Sequence, residues 1–523
     1  MYVEPDSRIV LLTECPLDPH YRNTIYWKNK GEQSTYFLGL QKRSFYRQSY
    51  QSVTKGVVRI GDRFDDIYDV NYMMFQNTHY GDKWWFAFVT KLEYVSDTMT
   101  NVYFEIDVMQ TWFFDYSLQH CYIAREHTNT DPLFGNLLPE PVELGEYTPV
   151  TYETVGPSAK YECCVVMQIV DTGESTTEGV LVNRVYNGCE YWIFRFNDVS
   201  GINNKISQYV QKPDAIVAMF MCPIMAFGYE SMNDIVLGGQ AWTDGQSVVA
   251  QWINVTMAGL TEDSKLDGYK PRNKKLLSYP YTYFGLDNGS GSSLILRYEL
   301  SDYVNHLIQL RITGNMLQPV QLKVEPVNYK NSGSNALHSE YLTLQEYPMC
   351  SWSTDAYKAW VAQNSVPLQL QTASRAVNTI TSVVSNPVGA IGSAFDMVTD
   401  LMSKNYTASI QADIVKGNAT TGNVNCANNV QRFYGGQYSI LYQQAAMIDN
   451  FFDVYGYTVN RVDVPIRMNN RPYWKYTKTI GCAIKGSLPA DDEQKICEIF
   501  DKGITFWRYP YYVGDYSLDN TVD

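Results

Sequence analysis

Residues 83–114 read KWWFAFVTKLEYVSDTMTNVYFEIDVMQTWFF, a run of alternating apolar and polar positions. At period two, Phe86, Phe88, Thr90, Leu92 and Tyr94 share one strand face, and Ala87, Val89, Lys91, Glu93 and Val95 the other. The polar turn SDTMTN leads into a second alternating run over 102–112, so the pattern predicts a β-hairpin. Further strands are predicted at 163–170, 179–185, 191–196, 293–300 and 320–324, separated by Gly, Asn, Asp and Ser clusters. The most apolar window, 215–229, is interrupted by Pro223 and reads as a buried strand and its turn.

Helices are few in this pattern. One is predicted at 356–362 behind Thr354 and Asp355, and another from 439 to about 455, stopped by Gly456. A third, 491–502, opens on Asp491, Asp492 and Glu493 and closes on Lys502 and Gly503, as the helix dipole and C-cap geometry favour. No repeat of fixed period is present.

Composition strengthens the β reading. Tyr accounts for 42 of the 523 residues, with 21 Phe and 11 Trp, an excess suited to sheets and extended interfaces. The formal charge is -14 with no basic block, which argues against a grip on nucleic-acid phosphates but suits a wall that DNA passes without sticking. The N-terminus, MYVEPDSRIVLL, carries acids where a secretion signal has bases, so synthesis and folding in a cytoplasm are expected. The ten cysteines are scattered without a CxxC pair and are expected to be reduced and mostly buried. No run of eighteen apolar residues offers an ordinary membrane anchor.

Catalytic patterns are missing. The six histidines form no HxH, HExxH or HxxxH pattern, and no cofactor is implied. No GxSxG elbow, Walker loop or GxGxxG opens a helix after a strand. The acid-rich GDRFDDIYDV places Asp62, Asp65, Asp66 and Asp69 near aromatics, where a glycosidase would need two carboxylates facing one sugar bond. Such clusters are usually solvated turns, and no enzyme is expected.

One segment does not fit its surroundings. Residues 376–395 carry no charge, and 379–402 read TITSVVSNPVGAIGSAFDMVTDLM. Asn386 before Pro387 breaks the helical pattern and begins a new helix, which predicts two short helices. Val377, Ile380, Val383 and Val384 share a face of the first. Val388, Ile391, Phe395, Val398 and Met402 form a stripe on the second beside Leu401, with Asp396 and Asp400 opposite. At 1.5 Å per residue the helices reach roughly 20 and 25 Å, short of a bilayer core of about 30 Å. Ten larger apolar side chains could gain about 15 to 30 kcal/mol on burial as an upper bound. The choice lies between a helical hairpin in a soluble core and a segment that enters a membrane only with several copies together.

The string NYMMFQNTHYGDKWWFAFVTKLEY, with VYFEIDVMQTWFFD and IAREH over 71–127, resembles the distal tail knob family of small short-tailed phages of Gram-positive bacteria. YGYTVNRV at 455–462 and IFDKGITFW at 499–507 resemble the same family in the same order. The resemblance implies a mainly β fold: barrel domains in a homo-hexameric ring at the virion tail tip, a few helices and a long hydrophobic helical loop. It implies 1–130 as part of an N-terminal barrel, 131–345 as a divergent β-rich middle, 346–435 as the region of a membrane-active loop (about 365–430), and 436–523 as an α+β part completing the tube. Implied partners are upstream tail and collar proteins, host membrane lipid, and double-stranded DNA passing without sequence-specific binding. On this reading the loop turns at Asn386 and Pro387 while Asp396 and Asp400 face the pore. The alternative is a receptor-binding or wall-degrading tail protein using exposed aromatics and the Asp62 to Asp69 acids.

Overall fold

The computed structural model describes residues 6–48, 56–78, 81–169, 180–182, 185–187, 190–209, 215–242, 252–301, 306–315, 320–327, 329, 340–348, 424–426 and 428–522. They are mainly β, and they fall into two compact units between which the chain passes more than once. The first unit comprises Met1–Gly145, Gly268–Leu277 and Tyr442–Asp523, and the second Glu146–Asp267 and Ser278–Leu441.

In the first unit a six-stranded antiparallel sheet runs Gln41–Gln48, Ser7–Thr13, Val70–Asn77, Trp85–Ser96, Met99–Ile106, Val57–Ile60. Its central strands are apolar on both faces, which accounts for the unbroken IVLL of the first strand. Val10, Leu12, Tyr72, Met74, Phe86 and Phe88 point into one core with Phe37, Phe113 and Phe500. Ile9, Leu11, Met73, Phe75, Ala87 and Phe104 point into the other.

The expected hairpin is present, Trp85–Ser96 pairing with Met99–Ile106 across a two-residue turn, with two corrections. The register shifts between Val89 and Lys91, so Thr90 is an extra residue that reverses the side-chain phase. Leu92 therefore packs beside Ala87 and Val89, away from Phe86 and Phe88. The second strand also stops at Ile106, short of 112. The Asp107 carboxylate accepts from the backbone N–H groups of Met109 and Gln110 at 3.0 and 3.1 Å and starts the one-turn helix Val108–Thr111.

A five-stranded sheet in the same unit joins distant parts of the chain. Asn23–Ile25 lies parallel to Ile504–Trp507, which pairs with Trp474–Ile480, then Cys121–Glu126 and Tyr457–Asp463. Trp474, Trp507 and Tyr457 are fully buried on it. The expected C-terminal helix is Ala490–Lys502; it buries Ile496, Ile499 and Phe500 and caps with Gly503 at φ 99°. Each of those three side chains contributes about 1.5 to 3 kcal/mol of burial.

The second unit is built from antiparallel sheets. One contains Tyr147–Pro149, Tyr434–Ile440, Thr282–Asp287 and Ser293–Leu296. Another contains Ile216–Pro223, Cys163–Ile169, Glu190–Phe194 and Gln240–Trp242, and a third Trp252–Met257, Ile308–Asn315, Gln321–Val327 and Leu342–Leu344. The strand Ile216–Pro223 followed by a 3-10 turn, Ile224–Phe227, matches the reading of 215–229. The strand predicted over 293–300 ends at Leu296, where a 3-10 turn at Tyr298–Leu300 takes over. The helix read from 439 begins at Tyr442, because Ser439 and Ile440 pair as strand with Thr282 and Tyr147 respectively.

Candidate functional site

The membrane-active residues read from the sequence, Val377, Ile380, Val383, Val384, Val388, Ile391, Phe395, Val398, Leu401 and Met402, lie outside the described residues. So do Asn386, Pro387, Asp396 and Asp400, and the helix predicted at 356–362. The residues that flank this segment on both sides, 340–348 and 424–426, are described. Among the described residues no helix is long and apolar enough to cross a membrane.

On the incoming side the strand Leu342–Leu344 pairs with Gln321–Val327 and buries Leu342 and Leu344. Beyond it Tyr347 is buried, and the Pro348 carbonyl accepts from Met221 N at 2.9 Å. The chain is thus tied to two sheets of the second unit immediately before residue 349. On the outgoing side, Asn429 N and Val430 N close a turn on Cys426 O and Asn425 O. Phe433 is fully buried, and the strand Tyr434–Ile440 then enters the interior of its sheet.

Three side-chain amides join the two flanks. Gln431 Nε2 donates to Gln345 O at 2.9 Å, directly linking the return to the departure. Asn288 Nδ2 donates to Thr343 O at 2.9 Å, while Asn425 Nδ2 donates to Gly289 O and Ser290 Oγ at 3.3 and 3.1 Å. The turn 288–291 therefore touches both flanks. Its shape is set by Asn288, whose Oδ1 accepts from Ser290 N and Ser292 N, and by Gly289 and Gly291 at φ 64° and 91°. Each neutral bond is worth about 0.5 to 1.5 kcal/mol net, so the base is held mainly by its buried apolar anchors.

Two thiols meet at this base. Cys163, on the strand Cys163–Ile169, hydrogen-bonds to Cys426; that contact and burial push its thiol well above the ordinary range. Burial likewise keeps the Tyr347 hydroxyl protonated. The base is thus made of amides, buried apolar and aromatic side chains, and a thiol pair in which the same contact lowers Cys426.

The acids considered for catalysis are accounted for structurally. Asp62 pairs with Arg43 Nε at 3.1 Å and Asp69 with Lys42, both cations being on the strand Gln41–Gln48. Lys42 holds the Asp69 carboxyl below its usual range. Asp65 and Asp66 occupy the first turn of the short helix Phe64–Ile67 and are exposed. His127 is also structural: Nε2 donates to Asp453 O at 2.9 Å and Nδ1 accepts from Tyr476 N at 2.7 Å, so the buried ring is held neutral.

Sequence reasoning missed the amides of the base and a buried polar network in the first unit. There Glu140 accepts from Thr458 N and Oγ1 at 2.8 Å each, and pairs with Lys275 at 2.5 Å and with Arg125. Nothing in local periodicity links residues 140, 275 and 458.

Comparison with known proteins gives the same direction over the full chain. A profile of the C-terminal domain of the Bacillus phage phi29 tail knob protein gp9 matches residues 248–521. A caudoviral major tail protein N-terminus profile matches 5–117. The tail knob protein gp9 of Bacillus phage B103 is 28% identical, with 98% of each chain covered. That of phage phi29 is 27% identical, covering 99% of this chain and 98% of its own. The solved bacteriophage C1 tail knob protein gp12 superposes with a TM-score of 0.61 at 14% identity, covering 99% of both chains, which is a likeness of fold. These relatives are structural tail proteins and not enzymes, and the chain belongs to the phage tail knob gp9 family as a structural component of the virion tail.

Proposed function

We propose that this chain is one subunit of a homo-hexameric distal tail tube. Its β-domains close into barrels around a channel through which the genome leaves the virion, continuous with upstream tail and collar proteins. The acidic balance of -14 favours passage of DNA without adhesion. At infection the segment of about 365–430 is released and its apolar helices enter the host cytoplasmic membrane, six copies lining a pore with Asp396 and Asp400 toward water. The chain is made in the host cytoplasm and works at the tail tip.

The observation that carries this reading is the base: both flanks of the segment are anchored at one place, with Gln431 bonded to Gln345. A segment that leaves and returns at one point can move out without unthreading a strand from either flanking sheet. Dye-loaded anionic liposomes test it. The full chain is expected to release dye, while a variant lacking 365–430 remains hexameric by native mass spectrometry and releases none. Asp396→Leu with Asp400→Leu is expected to retain membrane binding and reduce leakage. Equal leakage from the deletion variant overturns the reading.

A further inference from the structure

Among the described residues, Cys15, Cys121, Cys164 and Cys222 are buried, and burial pushes their thiols up. Cys163, Cys426, Cys482 and Cys497 are half-buried. They form two hydrogen-bonded pairs, Cys163 with Cys426 in the second unit and Cys482 with Cys497 in the first.

The two pairs differ in the state of their sulfurs. Burial pushes up both Cys482 and Cys497. In the other pair the Cys163 thiol donates to the Cys426 sulfur, so one contact raises Cys163 and lowers Cys426. Cys426 is thus the one lowered thiol among the described residues. A thiolate is the attacking form of cysteine, so this pair combines a nucleophile with a protonated neighbour.

The fold fixes that pairing from both sides. Cys163 opens the strand Cys163–Ile169, and at period two its neighbour Cys164 turns to the opposite face, where Sγ donates to Cys222 O at 3.2 Å. Cys222 turns its own Sγ toward Pro223 O at 3.7 Å. On the other side, Asn425 Nδ2 donates to Gly289 O and Ser290 Oγ, and Cys426 O accepts from Asn429 N at 3.0 Å. Sulfurs already in contact need to approach by only about 1 to 2 Å to form a bond of about 2.0 Å.

We propose that Cys163 and Cys426 are a redox modification site, closed into a disulfide by exchange with a low-molecular-weight disulfide such as glutathione disulfide. The Cys426 thiolate attacks one sulfur of the reagent, forming a mixed disulfide and expelling one thiolate. Cys163 then gives up its proton and attacks the Cys426 sulfur, forming the protein disulfide and expelling the second thiolate. Two protein thiols are oxidised, one reagent disulfide is reduced, and the two protons end on the released thiols. Only Cys426 has to meet the reagent, since Cys163 reacts with Cys426 alone.

Such a pair stays reduced in a cytoplasm and closes in oxidising surroundings. Closure ties residue 426 covalently to the strand Cys163–Ile169, where the flanks are otherwise joined by amides such as Gln431 on Gln345. The proposal concerns the base alone and does not depend on the membrane reading of 365–430.

Non-reducing peptide mapping of the full-length protein, after incubation over a range of glutathione disulfide to glutathione ratios, tests it. The expected product is a 163–426 cross-linked peptide, two hydrogens lighter than its parts and lost on adding reductant. In the reduced protein, iodoacetamide should label Cys426 at least about tenfold faster than Cys482 or Cys497. Cys163→Ser should stop at a mixed disulfide between Cys426 and glutathione, and Cys426→Ser should leave Cys163 unmodified. No 163–426 cross-link at any ratio, faster cross-linking of either thiol to another cysteine, or equal labelling rates overturns the proposal. So does a folded Cys163→Ser protein that gains no glutathione, or a folded Cys426→Ser protein that gains it at Cys163. Should either variant fail to fold, the cross-link and labelling rates of the unsubstituted chain decide alone.

Discussion

Removing the Asp449 carboxylate should detach the 268–277 excursion from the long helix Tyr442–Tyr455. Asp449 is fully buried and accepts from Tyr269 Oη at 2.8 Å, Arg272 N at 2.8 Å, Asn273 N at 3.0 Å and Asn273 Nδ2 at 2.8 Å. Hydrogen bonds to a charged acceptor contribute about 1.5 to 3 kcal/mol each but are not additive, and breaking a buried charged contact costs about 3 to 5 kcal/mol in total. Asp449→Ala leaves two backbone N–H groups without an acceptor and should cost about 4 kcal/mol. Asp449→Asn keeps one oxygen but turns an NH₂ toward the remaining donors, and should cost about 2 kcal/mol. Native-state hydrogen exchange, read on peptides covering 268–277, isolates the effect. Protection of the Arg272 and Asn273 amides should fall by about a thousandfold in Asp449→Ala, at 1.4 kcal/mol per tenfold. Unchanged protection there, or a loss spread evenly over the chain, would refute the clamp.

The Asp107 carboxyl is pushed up to about 6, chiefly by burial, against the lowering bonds from Tyr72 and the helix N–H groups. Its folded value lies above its unfolded one, so its contribution is complete below about pH 4 and is lost as pH rises through 6, a difference of order 3 kcal/mol. Urea unfolding between pH 4 and 7 should show that decline, and Asp107→Asn, still an N-cap, should flatten it; an unchanged slope contradicts the assignment. Gly503→Ala should destabilise by more than about 3 kcal/mol, because φ is 99° and a Cβ would sit 2.0 Å from Tyr476 Oη. A thermal shift under a degree would show that this C-cap tolerates a side chain.

Patterns confined to one element were readable, and those set by distant partners were not. The alternation around Phe86 and Phe88 gave the hairpin, and the acids before Ile496 with Gly503 after Lys502 gave the C-terminal helix. Thr90 was opaque, since a single extra residue reverses the side chains that follow it, up to the next register shift after Tyr94, without changing composition. Asp107 was hidden because FEIDVM keeps alternating while its carboxylate caps a helix. The 376–395 run stood out through missing charge, which is a local property. Its base did not, because Gln345 and Gln431 are ordinary amides that acquire meaning only when the fold brings them together at 2.9 Å.

Lipid-resident photolabelling tests the central claim most directly. The full-length protein would be mixed with vesicles carrying a photoreactive acyl chain, irradiated, digested and mapped by mass spectrometry. Adducts concentrated on 377–402, among Val388, Ile391, Phe395 and Val398, are the predicted result. Adducts confined to the β-sheet units, or none on 365–430 while the vesicles leak, would contradict it.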